Sequence, residues 1–176
     1  MTNINVFGVQ GIPEIKENDD IANHIVKALG DSGQTLYSGD IVIVTSKVIS
    51  KAEGRIVGRD SIKPSPFAKH LAATTGRDAT HVEIVLQESV RPIKVTDQVM
   101  IMENKNGVIC ANAGVDQPNI KINYENEAYL LLPKNPDKSA TYLREKLEAT
   151  FNIDLAVIIT DTFGRPWRNG QTNIAI

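Results

Sequence analysis

The sequence predicts an α+β fold with mixed or antiparallel sheets and flanking helices. Short β-branched apolar runs are typical of buried strands, and longer stretches place apolar residues at the helical period. The two kinds of segment do not alternate regularly, which favours α+β over α/β. The apolar runs 40–46 and 154–160 lie near opposite ends of the chain, so we expect sheet residues to come from both ends.

The first half of the chain is predicted to begin with a strand (INVFGV) that ends at a Gly-Ile-Pro turn. Strands are predicted over 4–9 and 40–46, and helices over 18–30, 65–76 and 78–90. The first helix has Asn18 or Asp19 as its cap and Gly30 as its stop. The second helix has serine before proline at its start and glycine at its end, which is typical of helix boundaries.

The second half is predicted to contain a β-hairpin, a further strand, a long amphipathic helix and a final buried strand. Strands are predicted over 98–103, 107–114, 128–133 and 154–160, and a helix over 137–151. The dipeptide Asn106-Gly107 separates the first two of these strands, and it is a strong signal for a hairpin turn.

Composition excludes several classes of protein. The 176 residues have the length of one domain, with 41% hydrophobic and 23% charged residues. A net charge of -2 gives no electrostatic reason to expect a nucleic acid partner. The single cysteine, Cys110, lies among strand-like residues, so we expect a buried inert thiol in a reducing compartment. The sequence shows no signal peptide and no membrane-length apolar run, which predicts a cytoplasmic protein without a membrane partner.

Common phosphate-binding and catalytic motifs are absent from the sequence. It contains neither a Gly-x-x-x-x-Gly-Lys-Ser/Thr loop nor a Gly-x-Gly-x-x-Gly turn after a strand. It also lacks the Gly-x-Ser-x-Gly motif of hydrolases. The histidines His24, His70 and His81 lie in predicted helices at no spacing typical of zinc ligands. A zinc site is therefore not predicted.

The segment TSKVISKAEGR follows the strand at 40–46 and is rich in donors. Lys47 and Lys51 are four positions apart, so they share one face of either a helix or a strand. With Ser46 they could donate to phosphate oxygens. The alternative is a solvated lysine face, which the segment taken alone favours.

The segment NAGVDQPN is predicted to be a polar loop after a strand. Asp116 and Asn119 present oxygens there, and a carboxylate in such a loop could hold Mg²⁺, which prefers oxygen ligands. The alternative is a local turn in which Asp116 accepts hydrogen bonds from nearby amides. Taken alone, this segment also favours the alternative.

The segment VIITDTFGRPWRNGQTNIAI is the richest in functional residue types. Asp161 and Thr162 follow a buried strand, where ligands commonly bind at such sheets. Arg165 and Arg168 carry planar donors that match carboxylate or phosphate, so they are candidates for holding substrate anions. Lys47 is a further candidate because of its ammonium group. A second carboxylate at Asp116 would complete a two-carboxylate cation site for nucleotide phosphates. The alternative is a surface turn whose Trp167 packs on the rest of the protein.

These segments, together with GIPEI near the start, occur in an order that resembles the coenzyme F-420-0:L-glutamate ligase (gamma-glutamyl ligase) family. The resemblance runs from about Val6 to Ile176. It implies a two-part α+β fold, an intertwined homodimer and an enzyme that uses GTP to add L-glutamate to coenzyme F-420-0. It also implies a γ-linked glutamate tail, an acyl-phosphate intermediate, Mg²⁺ or Mn²⁺ as cofactor and a further monovalent cation such as K⁺.

The resemblance also implies roles for individual residues. Metal ligands are expected at Asp116, Asp161 and Thr162. Nucleotide contacts are expected at Ile12, Pro13, Glu14, Ile15, Ser46, Lys51 and Asn119. The resemblance leaves Lys47 without a firm role.

Family members continue past NGQTNIAI. We therefore expect residues 1–176 to form a single ligase domain that lacks its C-terminal part and has little activity by itself. Two alternatives stay open: a γ-glutamate ligase for another acceptor such as a folate, and a non-catalytic, nucleotide-binding remnant.

Overall fold

The computed structural model describes residues 4–117, 121–122, 126–162 and 172–176. The helices within these ranges are Ile21–Asp31 (α1), Ser46–Ala52 (α2), Pro66–Thr75 (α3), Ala79–Gln87 (α4) and Pro136–Phe151 (α5). The strands are Ile41–Thr45 (β1), Ile56–Gly58 (β2), Ser89–Val95 (β3), Met100–Asn104 (β4), Ile109–Ala111 (β5), Lys121–Ile122 (β6), Asn126–Leu130 (β7), Ala156–Thr162 (β8) and Asn173–Ala175 (β9). Three sheets result, in the orders β1-β8-β9, β2-β7-β6 and β3-β4-β5. The predicted α+β class is confirmed.

The first sheet is built from both ends of the chain, as the sequence predicts. Strands β1 and β8 are parallel, with Val44 opposite Ile159, while β8 and β9 are antiparallel. Their apolar side chains share one core with α1, α2 and α5, in which Leu29 and Leu147 are fully buried. This first core therefore fixes the end of β1, the start of α2 and the end of β8 relative to one another.

A second core joins α3 and α4 to the other two sheets. Met100 and Met102 of β4 pack there with Val82 and Val85 of α4 and with Tyr129 of β7. Strand β7 pairs antiparallel with both β2 and β6. The second core thus positions β7 and the turn after β5.

Helix α1 begins after the predicted caps, at Ile21, and continues one residue past its expected stop at Gly30. Its cap is Asp20, whose Oδ1 accepts a hydrogen bond from the Asn23 amide at 3.1 Å. Asn18 and Asp19 precede the cap, so their assignment as caps was wrong. Gly30 lies inside the helix, because a single glycine costs only about 1 kcal/mol there and need not end a helix.

The boundaries predicted for α3 and α4 are largely confirmed. The Ser65 hydroxyl caps α3, and Gly76 ends it in the left-handed conformation at φ 67°. Asp78 caps α4 by accepting a hydrogen bond from the His81 amide at 2.8 Å. Residues 89–90, which were assigned to this helix, belong to β3 instead.

One further prediction was wrong, and one strand was missed. Residues 4–9 form no strand, and Ile4 and Val6 are almost fully exposed, because no strand of the described part of the chain pairs with them. Strand β3 was not predicted: residues 91–95 received no element from the sequence, and Pro92 lies in the middle of the strand. The proline is tolerated because β3 is at the edge of its sheet and its register shifts between Pro92 and Lys94.

Cys110 on β5 is buried, as expected for an inert thiol. Burial, with a smaller contribution from the negative charge of Asp161, raises the pKa of this thiol to about 11. The reactive thiolate is therefore about two orders of magnitude scarcer near pH 8 than for an ordinary cysteine.

We expect Ellman's reagent to modify Cys110 at pH 8 at least a hundredfold more slowly in the folded chain than in guanidinium chloride. The same reagent on a short peptide carrying GVICANAG, with and without denaturant, controls for effects of guanidinium on the chemistry. Similar rates for the folded and unfolded chain would contradict the burial of this side chain.

Candidate active site

The first turn of α2 begins directly where β1 ends. Thr45 is the last residue of the strand and precedes the helix, so Ser46 and Lys47 lie at the carboxyl end of β1. Ser46, Ile49 and Ser50 are buried. Their spacing of three and four positions places them on one face of the helix. The helix therefore turns two hydroxyl side chains inwards.

Asp161 reaches the same place because β1 and β8 are parallel and in register, with Thr45 opposite Thr160. The Ser46 hydroxyl donates to Oδ1 of Asp161 at 3.2 Å. Burial raises the pKa of the Asp161 carboxyl, while the Thr162 amide, the Ser46 hydroxyl and the charge of Lys47 oppose the rise. These donors therefore offset part of the cost of burying the charge.

Asp116 is positioned by the second core. The 3-10 turn Asn112–Gly114 follows β5, and Gly114 has φ 77°. A Cβ atom on Gly114 would overlap the Leu132 side chain, so glycine is required for both its conformation and its size. The Asp116 amide donates to the Leu130 carbonyl at 2.9 Å, and the Leu130 amide returns a bond of the same length. This exchange fixes the Asp116 backbone on β7.

Both carboxylates line one cavity of about 290 Å³ between the two cores. Lys47 also lines it, and its Nζ forms an ion pair with Oδ2 of Asp116. The wall is made by residues of α2, the turn after β5, the end of β7 and the end of β8, namely Ser46, Lys47, Ser50, Ala111, Asn112, Gly114, Val115, Asp116, Leu130, Leu131, Leu132, Asp161 and Thr162. The structure thus brings together Ser46, Lys47 and the three predicted metal ligands.

Other candidate residues lie apart from this cavity or outside the described ranges. Lys51 does not line the cavity, and its Nζ pairs with Oε1 of Glu14 instead. Ile15 is buried in the first core, and Ile12 packs against that core. Asn119, Arg165 and Arg168 lie outside the described residues, so their expected roles stay predictions.

Sequence reasoning missed Ser50, Asn112 and Leu132 as lining residues. Ser50 was predictable in principle, because it lies one helical turn after Ser46. Leu132 carried no such signal, since its place in the wall depends on how β7 leaves the second core. Apolar wall residues of this kind become recognisable only once the fold is known.

The residues at the cavity fit a hard divalent cation. Asp116 and Asp161 offer carboxylate oxygens and Thr162 a hydroxyl, and oxygen is the ligand type that Mg²⁺ and Mn²⁺ prefer. Among the described residues, no group of three or more His, Cys, Asp or Glu side chains could hold a metal. A cation held by two carboxylates would therefore keep several of its waters, as Mg²⁺ usually does.

The chain is similar to known ligases. Residues 10–176 match the family model described as F420-0:Gamma-glutamyl ligase. The coenzyme F420:L-glutamate ligase of Methanothermobacter thermautotrophicus is 40% identical over 173 residues, which is 98% of this chain and 67% of the relative. The enzymes of the same name from Methanopyrus kandleri and Methanocaldococcus jannaschii are 40% and 42% identical, over 93% and 80% of this chain.

The chain spans 61% of the Methanopyrus enzyme's length and 55% of the Methanocaldococcus enzyme's. The match to the family nevertheless covers both segments that supply a cavity carboxylate, those around Asp116 and Asp161. The chain therefore belongs to the F420-0:gamma-glutamyl ligase family.

Proposed function

We propose that this chain carries the catalytic centre of a GTP- and divalent-cation-dependent ligase that adds L-glutamate to coenzyme F-420-0, forming a γ-linked tail. The observation that carries this proposal is that Asp116 and Asp161, 45 positions apart in the sequence, line one cavity together with Ser46 and Lys47. Membership of the family supplies the ligase class, and the names of the relatives supply glutamate and the coenzyme.

The reaction requires a carboxylate oxygen to become a leaving group. In the proposed route, an oxygen of the acceptor carboxylate attacks the γ-phosphorus of GTP, forming an acyl phosphate and GDP. The glutamate amine then attacks the acyl carbon, phosphate leaves, and the nitrogen loses a proton to give the amide. Phosphoryl transfer of this kind depends mainly on positioning and on charge stabilisation.

The described residues at the cavity could supply both positioning and charge stabilisation. Asp116, Asp161 and Thr162 would hold the divalent cation, which when bound supplies charge neutralisation at phosphate oxygens. The Lys47 ammonium faces the cavity and could contact a phosphate or carboxylate oxygen of the substrates. The Ser46 hydroxyl positions the Asp161 carboxylate at 3.2 Å.

The direct test is turnover of the natural full-length protein with GTP, Mg²⁺ and L-glutamate. We expect GDP release that depends on coenzyme F-420-0 and a product heavier by one or more glutamyl groups. Turnover with a folate acceptor instead would replace the proposed substrate. Binding of GTP without turnover on either acceptor would identify a non-catalytic protein.

Lys51→Ala is expected to weaken GTP binding by about 1.5–3 kcal/mol, the scale of a hydrogen bond to a charged group. Thermal stability should barely change, because the partner Glu14 is 79% exposed and ion pairs in water contribute little. Titration calorimetry with GTP and Mg²⁺ measures the first effect, and a thermal melt measures the second. Lys138→Ala, an exposed substitution on α5, is the control.

Wild-type affinity in Lys51→Ala would show that Lys51 does not contact GTP.

The homodimer and the cytoplasmic location also stay predictions. No helix in the described ranges is long and apolar enough to cross a membrane. Sedimentation of the full-length protein as a monomer would contradict the dimer.

A further inference from the structure

Two consecutive residues at the start of α2 each hold one of the two cavity carboxylates. Ser46 donates to Asp161 at 3.2 Å, and Lys47 forms an ion pair with Asp116. Lys47 also lines the cavity that Asp161 lines. One ammonium group therefore faces both acids.

The two members of the Lys47–Asp116 ion pair differ in their freedom to move. The Asp116 backbone is fixed by its two hydrogen bonds to Leu130, and the preceding Gly114 packs against Leu132. The Lys47 side chain is half-exposed and has a flexible four-carbon stem. If another cation takes the position beside Asp116, the lysine is the group that can leave.

We infer that Lys47 is an internal counter-ion of the two carboxylates, which a divalent cation displaces from Asp116 when it binds. The inference rests on the proposed function for the identity of that cation. Its physical basis is charge. Two carboxylates and one ammonium carry a net charge of about -1, and a divalent ion placed between the acids repels the ammonium.

Displacement gives Lys47 two alternating roles. While it pairs with Asp116, it limits the repulsion between two acids for which the described cavity lining offers no other positive charge. Once released, its ammonium remains at the cavity wall, where anionic substrate oxygens would enter. Lys51 cannot substitute for it, since it pairs with Glu14 and does not line the cavity.

The first test measures the chemical reactivity of individual lysines. The full-length protein is acetylated briefly with acetic anhydride, with and without saturating Mn²⁺ and without nucleotide, and the rate at each lysine is read by peptide mass spectrometry. We expect Mn²⁺ to raise the rate at Lys47 at least threefold. The exposed lysines Lys138 and Lys146 of α5 should change little. An unchanged or reduced rate at Lys47 would overturn the inference.

The second test compares Mn²⁺ affinities, measured from the electron spin resonance signal of the free ion. Lys47→Met keeps the length of the stem and removes the charge, so we expect Mn²⁺ to bind about tenfold more tightly. Lys47→Arg keeps a competing cation and should not bind Mn²⁺ more tightly than the wild type. Lys138→Met controls for the loss of one positive charge from the protein.

The outcomes separate this inference from the proposed function. Mn²⁺ binding by the wild type with equal or weaker binding by a folded Lys47→Met variant would overturn the inference and leave the cation site standing. If the folded wild type binds no Mn²⁺, both the cation site and the inference fail. Far-ultraviolet circular dichroism confirms that each variant is folded before its affinity is interpreted.

Discussion

Replacing Asp161 with asparagine is expected to lower ligase turnover by about 10²–10³-fold, the loss typical of removing one charge-stabilising group from an active site. Mn²⁺ affinity should fall by at least tenfold, because one of the two carboxylates that the described residues place at the cavity is lost. The measurements are GDP release by the full-length protein and a Mn²⁺ titration. Asp154→Asn is the matched control, since Asp154 is exposed and lies just before β8.

The same substitution should leave the free energy of unfolding unchanged or slightly higher. Asparagine has the shape of aspartate, and its Oδ1 can still accept hydrogen bonds from the Ser46 hydroxyl and the Thr162 amide. It also removes a charge whose burial is unfavourable. Loss of both activity and stability would instead indicate that Asp161 is mainly a structural residue. Loss of stability alone would contradict the proposed role outright.

The largest expected effect on stability comes from Leu147→Ala in α5. Leu147 is 0% exposed and packs in the first core with α1, β1 and β8. Truncating a fully buried leucine usually costs about 2–5 kcal/mol, partly through the cavity that remains. Urea denaturation, analysed by linear extrapolation, measures this cost directly.

Two further variants serve as controls for the Leu147→Ala measurement. Leu147→Met nearly conserves volume and should cost less than about 1.5 kcal/mol. Glu145→Ala changes an exposed residue of the same helix and should shift stability by no more than about 0.5 kcal/mol. A loss below about 1 kcal/mol in Leu147→Ala would show that α5 does not pack on the first sheet as described.

The sequence predicts best those elements whose local signals agree with their tertiary surroundings. The β-branched runs at β1 and β8 are strands in the structure, and Ser65, Gly76 and Asp78 bound their helices as expected. The predictions fail where pairing with distant parts of the chain decides whether a strand forms. Residues 4–9 have a strand-like composition, but no strand in the described part of the chain pairs with them. Strand β3 contains a proline that is tolerated because the strand lies at a sheet edge.

At the candidate site, too, some features were predictable from the sequence, whereas others depend on the tertiary structure. The acids Asp116 and Asp161 were predictable as residue types at the ends of strands, and both line the cavity. The separate partners of Lys47 and Lys51 were not predictable, because four-residue spacing places both lysines on one helix face. Asp116 comes from the second core and Glu14 from the segment before α1, so only the tertiary structure distinguishes the two lysines.

The parallel pairing of β1 with β8 has a consequence for synthesis on the ribosome. Ser46 and Asp161 are 115 positions apart. At about 5–20 residues per second, translation of that interval takes roughly 6–23 s. Throughout that time, the nascent chain holds β1 without the strand that will become its neighbour, and non-local strand pairing is slow to form even afterwards. The exposed run Ile41–Thr45 is therefore a vulnerable segment during biosynthesis, and slower translation between β1 and β8 lengthens its exposure to aggregation.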